Sequence, residues 1–326
     1  MTFGSDIVQN IATRFHNLPL DPALAVILPG QGSQKVGMGK DIAESSPAAH
    51  SIFDLADRIL GQNLSDLCFN GPEEELTRTT NAQLAILTTS IAILTAALES
   101  GTVDKTPAFL AGHSLGEYTA LVAAGSFSFQ DALLLVRERS RLMDRAGREP
   151  LGAMAAVVGL SEEGVVDICR LSGAEPCNYN SPSQIVVGGT VFAVEAACRL
   201  AKERGGRGLP LKVSAAFHTS LMDSAARDFA DVLEGFTAHN PSIPVVGNVT
   251  ATCLTDAASI VADLAQQISA PVRWSQSISF MIDRGVSRIM EIGPGHALTA
   301  TLKRSYPDVT SISVDGSAAL ASPSNV

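Results

Sequence analysis

The sequence has little of what identifies several common classes of protein. Aromatic residues make up only 5% of its 326 residues, and its formal net charge of −10 comes without a basic block, which disfavours general binding to nucleic acid. Its cysteines are odd in number and lack C-x-x-C spacing, so they predict neither a disulfide framework nor a metal site. They are Cys68, Cys169, Cys177, Cys198 and Cys253. This usage is typical of a reducing compartment, and we expect a cytoplasmic protein.

Long apolar segments are scarce as well. The longest, from Leu84 to Leu98, is short for a membrane span and is interrupted by threonine and serine, so it predicts a buried helix ending at Gly101. The first residues, MTFGSDIVQN, lack a basic segment followed by an apolar one, and we expect no secretory signal. Neither feature favours a membrane protein.

What the sequence does contain is a regular alternation of apolar strands and helical patterns. The first strand reads ALAVILPG, and a second ends in the stretch AFLAGHSLGEY, with helical patterns before and after it. This order predicts an α/β fold with a central, mostly parallel sheet. From Pro150 onward the pattern becomes β-α-β-α-β, with Ser161 as a candidate helix N-cap, which predicts an inserted small ferredoxin-like subdomain.

The stretch Gly112-His113-Ser114-Leu115-Gly116 has the G-x-S-x-G pattern of a nucleophile elbow. The apolar strand before it and the helical pattern after it are the context in which such an elbow holds a serine at a sharp turn. A plain glycine-serine turn is the alternative. An elbow predicts a nucleophile, but it does not specify a reaction.

Together these patterns predict an α/β-hydrolase-like protein in four parts. We expect an N-terminal extension over 1–22, a catalytic domain made of 23–149 and 215–315, the small subdomain over 150–214, and a flexible tail over 316–326.

A serine nucleophile needs a base, and six histidines are available. His218, in VSAAFHTSLM, follows a predicted strand and opens a helix downstream of the elbow, which favours it as the base. His296, in GPGHAL, either lies near the site or caps the next helix. The side chain of His113 is expected to point away from the serine.

Arg139 lies within LLLVRERSRLM, where helical spacing places it on an apolar stripe with Leu135, Leu142 and Met143. A buried arginine requires a carboxylate partner from the protein or from a ligand. Alternatively, its stem packs on apolar surface while its head stays in water, and spacing alone favours this second reading.

The segment LPGQGSQ forms a glycine-rich loop at the end of the first strand. It lacks the Lys-Ser/Thr of a P-loop, so a phosphate site is weakly supported. Beside a serine elbow, such a loop more readily supplies one arm of an oxyanion hole, with the N–H of Leu115 as the other arm.

Five motifs in register, LPGQGSQ, GHSLGEY, LVRERSRLM, FHTSLM and EIGPGHAL, make the chain resemble a known family. It is similar to the malonyl-CoA:acyl carrier protein transacylases and to the acyltransferase domains of fatty-acid and polyketide synthases, from about Ala23 to Asp315. The resemblance implies ping-pong transfer of a malonyl group from malonyl-CoA to an enzyme serine, and then to the phosphopantetheine thiol of an acyl carrier protein. It implies CoA as product, no bound cofactor or metal, no nucleic acid and no membrane, and we expect a monomer.

The resemblance also implies roles for individual residues. Ser114 matches the acylated serine, His218 the base, and Arg139 the arginine that binds the malonyl carboxylate. Gln31 and Leu115 match the two backbone N–H donors of the oxyanion hole. Gln267 matches the residue whose backbone carbonyl orients the histidine. The residues that match positions lining the substrate cleft are Gln83, Met143, Asn178, Asn180 and Phe217.

Two side chains bear on substrate choice. Members that accept methylmalonyl units tend to have a smaller residue where this chain has Phe217, and Leu115 likewise resembles malonyl-selective members.

The chain departs from the family at Gln83-Leu84-Ala85, where Gln-Pro-Ala is common, and in its longer extension before Ala23. A serine esterase or thioesterase of the α/β-hydrolase type and a non-catalytic carrier-binding paralogue remain alternatives.

Overall fold

A computed structural model describes residues 11–148, 151–213 and 215–320 of the chain. Its larger sheet has six strands: β1 Leu20–Leu28, β2 Thr106–Gly112, β7 Val245–Val246, β8 Cys253–Leu254, β9 Arg288–Ile292 and β10 Thr310–Val314. Their order is β10-β9-β1-β2-β7-β8, and all neighbours pair in parallel except β7 with β8. The predicted mostly parallel sheet is confirmed.

A second sheet consists of β3 Gly152–Val158, β4 Glu175–Ser181, β5 Gln184–Thr190 and β6 Arg207–Pro210, with helices Glu162–Ser172 and Val191–Glu203 between them. It is wholly antiparallel and has the order β4-β5-β3-β6. The ferredoxin-like subdomain is confirmed, but the predicted β-α-β-α-β pattern missed β4. Its sequence, EPCNYNS, is largely polar and contains a proline, so it does not show the apolar pattern of a strand.

The remaining helices surround the larger sheet. They are Ile11–His16, Lys40–Ser45, Pro47–Leu60, Leu64–Asn70, Glu73–Thr77, Thr79–Ser100, Gly116–Ala123, Phe129–Ala146, Asp223–Leu233, Ala257–Gln267, Trp274–Ile282, Ala297–Ser305 and Ser317–Leu320, with a 3-10 turn at Ser220–Met222.

Helix Thr79–Ser100 is the one helix among the described residues that is long and apolar enough to cross a membrane by length and composition. Of its most apolar 18-residue window, 89% is buried inside the protein, and Gly101 caps it with a φ of 76°. It is therefore a core helix, as its sequence predicted.

Backbone pairing joins the small sheet to the larger part of the protein. The N–H of Tyr179 donates to the carbonyl of Val272 at 2.9 Å, and the N–H of Val272 donates to the carbonyl of Cys177 at 2.9 Å. These bonds hold β4 beside the segment that follows helix Ala257–Gln267, so residues of both parts lie around one cleft.

The predicted tail and the predicted boundaries of the small subdomain lie at or beyond the ends of the described ranges. Ser317–Leu320, within the tail predicted to be flexible, forms a short helix held by Ser317, whose N–H donates to Oδ2 of Asp41 at 2.6 Å. This helix is not evident from the sequence, because small polar composition does not reveal a contact with a distant carboxylate. The flexibility of the tail stays a prediction. Residues 1–10 and 321–326 lie outside the described ranges, as do 149–150 and 214, so the boundaries at 150 and 214 stay predictions.

Candidate active site

Ser114 lies at a tight turn between β2 and helix Gly116–Ala123, with a φ of 51°. A Cβ atom at Gly112 would overlap the backbone of Gly116, and one at Gly116 would overlap the carbonyl of Leu28. The two glycines are therefore required by close packing of the helix on the strands. The result is the strand-turn-helix elbow that the G-x-S-x-G pattern predicts.

The hydroxyl of Ser114 is hydrogen-bonded to a histidine. Its Oγ lies 2.7 Å from Nε2 of His218, and Nδ1 of His218 lies 2.8 Å from the backbone carbonyl of Gln267. A carbonyl can only accept, so Nδ1 carries the proton and Nε2 is free to accept the serine proton. The arrangement is that of a serine nucleophile and a base oriented by a third group.

His218 is almost fully buried, with 4% of its surface exposed. Burial, and secondly the positive charge of Arg139, lower the pKa of His218 from 6.5 to about 3. The imidazole is consequently neutral near pH 7, which is the state a general base requires.

Arg139 is completely buried on helix Phe129–Ala146. Its guanidinium donates to Oε1 of Gln83 at 2.6 Å, to Oγ of Ser114 at 3.0 Å and to Oε1 of Gln267 at 2.9 Å, and it lies 5.3 Å from the ring centre of Tyr118. Spacing alone favoured the alternative hypothesis that the guanidinium of Arg139 stays in water. That hypothesis is wrong.

The charge of Arg139 has only neutral partners. Within the described ranges no carboxylate lies within 4.0 Å of its guanidinium, and its Nε has no hydrogen-bond partner. A fully buried cation without a counter-ion is costly unless an anion binds beside it. The geometry thus provides a site for a carboxylate directly beside the serine hydroxyl.

Two backbone N–H groups flank Ser114. Those of Gln31 and Leu115 donate to no other group in the part of the chain that the structure describes, and both residues line the same cleft as Ser114. The side chain of Gln31 is held by Thr79, to whose Oγ1 it donates at 3.2 Å. These N–H groups are available to a developing oxyanion.

The cleft itself has a volume of about 770 Å³. Nearly all of the residues singled out from the sequence line it: Gln31, Gln83, Ser114, Leu115, Arg139, Met143, Asn178, Phe217 and His218. Gln267 lies behind it and bonds to three of these residues. The buried Oδ1 of Asn178 has no partner among the described residues.

Asn180 does not line the main cleft, unlike the other residues that were predicted to line it. Its Oδ1 lies 2.8 Å from Nε2 of His113, and both residues line a smaller adjoining cavity of about 260 Å³, while His113 also borders the main cleft. His296 stands at the N-cap of helix Ala297–Ser305 without a side-chain capping bond and does not line the cleft.

Two buried residues beside the serine were missed from the sequence. Oδ1 of Asn248 accepts from the N–H of Ser114 at 2.7 Å, and Glu117 accepts from Asn248 and Gln267. Each residue had one indication in the sequence: Glu117 is a charged residue within an apolar helix, and Asn248 is a polar residue just beyond a strand. No cluster of three or more potential metal ligands is found among the described residues.

The fold and the family match define an acyltransferase: residues 26–323 match the Acyl transferase domain family. More particularly, the chain belongs to the malonyl CoA-acyl carrier protein transacylase family. It is 47% identical to the Bacillus subtilis strain 168 protein of that name, over 86% of this chain and 90% of the relative. With the Escherichia coli K12 protein of that name it shares 41% identity, over 91% and 97%.

Solved structures agree with this assignment. An acyl carrier protein S-malonyltransferase from Vibrio cholerae superposes with a TM-score of 0.89 at 39% identity, covering 93% of this chain and all of that one. A type II PKS malonyl-transacylase, solved in complex with its acyl-carrier protein, gives a TM-score of 0.89 at 40% identity, covering 92% and 98%. The predicted family is confirmed.

Proposed function

We propose that the protein is a malonyl-CoA:acyl carrier protein S-malonyltransferase. The observation that carries this proposal is the buried guanidinium of Arg139, which has no carboxylate partner among the described residues and donates to the hydroxyl of Ser114 at 3.0 Å. A thioester that carries its own carboxylate supplies the missing anion and brings its carbonyl to the serine in the same binding event.

In the first half-reaction, Nε2 of His218 takes the proton of Ser114 as Oγ attacks the thioester carbon. The carbonyl oxygen becomes an oxyanion that the N–H groups of Gln31 and Leu115 stabilise. The C–S bond then breaks, the CoA sulfur receives the proton from His218, and a malonyl ester remains on Ser114. The carbonyl of Gln267, 2.8 Å from Nδ1, keeps the ring in the tautomer that these steps need.

In the second half-reaction, the phosphopantetheine thiol of an acyl carrier protein gives its proton to His218 and attacks the ester carbon. The bond from carbon to Oγ of Ser114 breaks, and the serine recovers its proton. Both half-reactions use one site, which implies ping-pong kinetics. CoA and malonyl-CoA are product and substrate, and we propose no bound cofactor.

The pocket favours malonyl over methylmalonyl. Phe217 lines the cleft next to the base and is 6% exposed, so it occupies space that an α-methyl group needs. One methyl group discriminates by about 1–3 kcal/mol. Met143 adds apolar surface, and Gln83, which holds Arg139, fixes the direction of the guanidinium.

We infer that the carrier protein docks near a group of basic residues in the small subdomain, because carrier proteins are acidic. Within this group, Lys212 lines the cleft and is exposed, whereas Arg204 is paired with Asp167 at 2.6 Å. The group consists of Lys202, Arg204, Arg207 and Lys212. We further propose a cytoplasmic monomer that serves fatty-acid or polyketide synthesis.

Mixing the protein with malonyl-CoA and an acyl carrier protein bearing phosphopantetheine tests the proposal. The expected result is a carrier heavier by one malonyl group, formed only when the enzyme is present. Hydrolysis of malonyl-CoA without transfer would favour the esterase or thioesterase alternative, and no reaction at all would favour a non-catalytic carrier-binding protein.

A further inference from the structure

Glu117 is a fully buried carboxylic acid on the helix that follows the nucleophile elbow. Its Oε2 accepts two hydrogen bonds, from the backbone N–H of Asn248 at 3.0 Å and from Nε2 of Gln267 at 2.9 Å. It does not line the cleft, so the chemical steps proposed above do not use it. A buried acid that binds two neighbours of the nucleophile calls for an explanation.

Asn248 holds the elbow from one side. Its Oδ1 accepts from the N–H of Ser114 at 2.7 Å, and its Nδ2 donates to the carbonyl of Gly112 at 2.7 Å. One carboxamide thus joins the end of β2 to the serine, across the turn in which Ser114 has a φ of 51°. A non-glycine residue at positive φ is strained, and surrounding contacts must maintain it.

Gln267 holds the same residue from the other side. Its Nε2 donates to the carbonyl of Ser114 at 3.1 Å, while its Oε1 accepts from Arg139 at 2.9 Å. Glu117 binds both Asn248 and Gln267, so it connects the two groups that hold the backbone N–H and C=O of Ser114. The N–H of Leu115 belongs to the peptide whose carbonyl Gln267 binds.

We propose that Glu117 and Asn248 are positioning residues that hold Ser114 in its strained conformation, and thereby aim Oγ and the N–H of Leu115 at the reacting carbonyl. They act through Ser114 and Gln267 and touch no substrate. The inference rests on the proposed acyl transfer at Ser114, which it deepens.

The protonation of Glu117 fits this role. Burial, followed by the negative charge of nearby Asp263, raises the pKa of Glu117 well above its ordinary value, which favours the uncharged acid. Its Oε2 accepts from Asn248 and Gln267, whereas its Oε1 is buried without a hydrogen-bond partner among the described residues. Glutamine has the same shape and the same pairing of donor and acceptor.

The test compares Asn248→Ala, Glu117→Ala and Glu117→Gln with the wild type. One assay measures the rate at which a serine-directed fluorophosphonate labels Ser114, which needs the elbow but no acyl donor. A second measures the maximal rate and the half-saturating concentration of Ser114 acylation by malonyl-CoA. Thermal unfolding is recorded for each variant. Glu291→Ala is the matched control, because Glu291 is equally buried but caps a different helix through the N–H of Thr299 at 2.7 Å.

We expect Asn248→Ala and Glu117→Ala to slow both reactions by about tenfold or more, the effect of losing about 1.4 kcal/mol, with little change in half-saturation. Glu117→Gln should restore both rates to within about threefold. Glu291→Ala should lower the unfolding temperature without slowing labelling. If Asn248→Ala does not fold, Asn248→Asp, which keeps the acceptor but loses the donor to Gly112, takes its place.

Folded Asn248 and Glu117 variants that label and acylate at the wild-type rate would overturn the inference, as would a Glu117→Gln variant no better than Glu117→Ala. A wild type that reacts with the fluorophosphonate but not with malonyl-CoA would contradict the proposed function instead. The labelling rates would still decide the role of the two residues in that case.

Discussion

Nη2 of Arg139 donates a hydrogen bond to Oγ of Ser114 at 3.0 Å. The candidate carboxylate anchor, on helix Phe129–Ala146, and the candidate nucleophile, at the turn after β2, are therefore in direct contact. An acyl group bound to both must carry its carboxylate very close to its thioester carbonyl. One intervening methylene, as in malonyl, suits this separation better than the longer chain of succinyl.

This contact predicts selection by chain length. Succinyl-CoA should acylate Ser114 more slowly than malonyl-CoA by about 10- to 200-fold in kcat/KM, the range expected for one extra methylene in a closely fitting pocket. Rapid-quench mass spectrometry of the acyl-enzyme measures both rates. Equal rates would mean that the carboxylate is not bound at Arg139.

Replacing Arg139 with alanine should separate charged from neutral acyl groups. We expect acylation by malonyl-CoA to fall by at least about 100-fold, because a buried charge-assisted pair is lost, while acetyl-CoA changes by less than about fivefold. Arg139→Lys should be intermediate, since lysine keeps the charge but loses the planar fork.

The matched control is Arg137→Ala on the same helix, where the side chain is 46% exposed. It should leave both acyl donors unaffected. If Arg139→Ala impaired malonyl and acetyl equally, the arginine would be a structural residue, and the esterase alternative would gain support.

The pH dependence follows from the lowered pKa of His218, about 3. A base with a lowered pKa stays unprotonated as the pH falls through 6.5, so activity should be kept there and lost only near the lowered value. From pH 7 to pH 5 we expect kcat/KM for acylation to fall less than about twofold, whereas an ordinary histidine would lose about 25-fold. The rate of CoA release, followed from pH 7 to pH 5, measures kcat/KM at each pH. An acid limb near pH 6.5 would show that His218 titrates normally.

Phe217 predicts the choice of extender unit. Phe217→Ala should raise the ratio of methylmalonyl to malonyl acylation by about tenfold, through removal of the ring that fills the space for an α-methyl group. Competition between the two CoA thioesters, read by acyl-enzyme mass, gives the ratio. Phe192→Ala, at an 83% exposed position, is the control and should leave it unchanged. An unaltered ratio in Phe217→Ala would place selectivity elsewhere.

Local patterns carried much of the sequence-based prediction. The elbow around Ser114 depends on a strand, two glycines and a helix that are contiguous in the chain, and the buried core helix ending at Gly101 is equally local. Spacing alone could not decide the environment of Arg139, because burial of a guanidinium depends on which elements pack over it. The resemblance to a family, rather than periodicity, led to the interpretation of Arg139 as an anchor.

Contacts between distant segments explain what was missed. Asn248 lies 134 residues from Ser114 in the chain, and its hydrogen bond to the elbow exists only because β2 and β7 are neighbours in the sheet. Strand β4, which pairs with β5, was missed because its largely polar sequence has no alternation of apolar and polar residues. Asn180 was grouped with Asn178, yet the strand brings it to His113 instead.

Intact-mass analysis of the protein after brief incubation with malonyl-CoA, followed by peptide mapping, shows directly whether Ser114 carries the malonyl group. We expect one malonyl group, attached to Ser114, absent from Ser114→Ala, and removed when an acyl carrier protein with its phosphopantetheine thiol is added. A wild-type protein that carries no malonyl group, or carries it on another residue, would contradict the proposed mechanism.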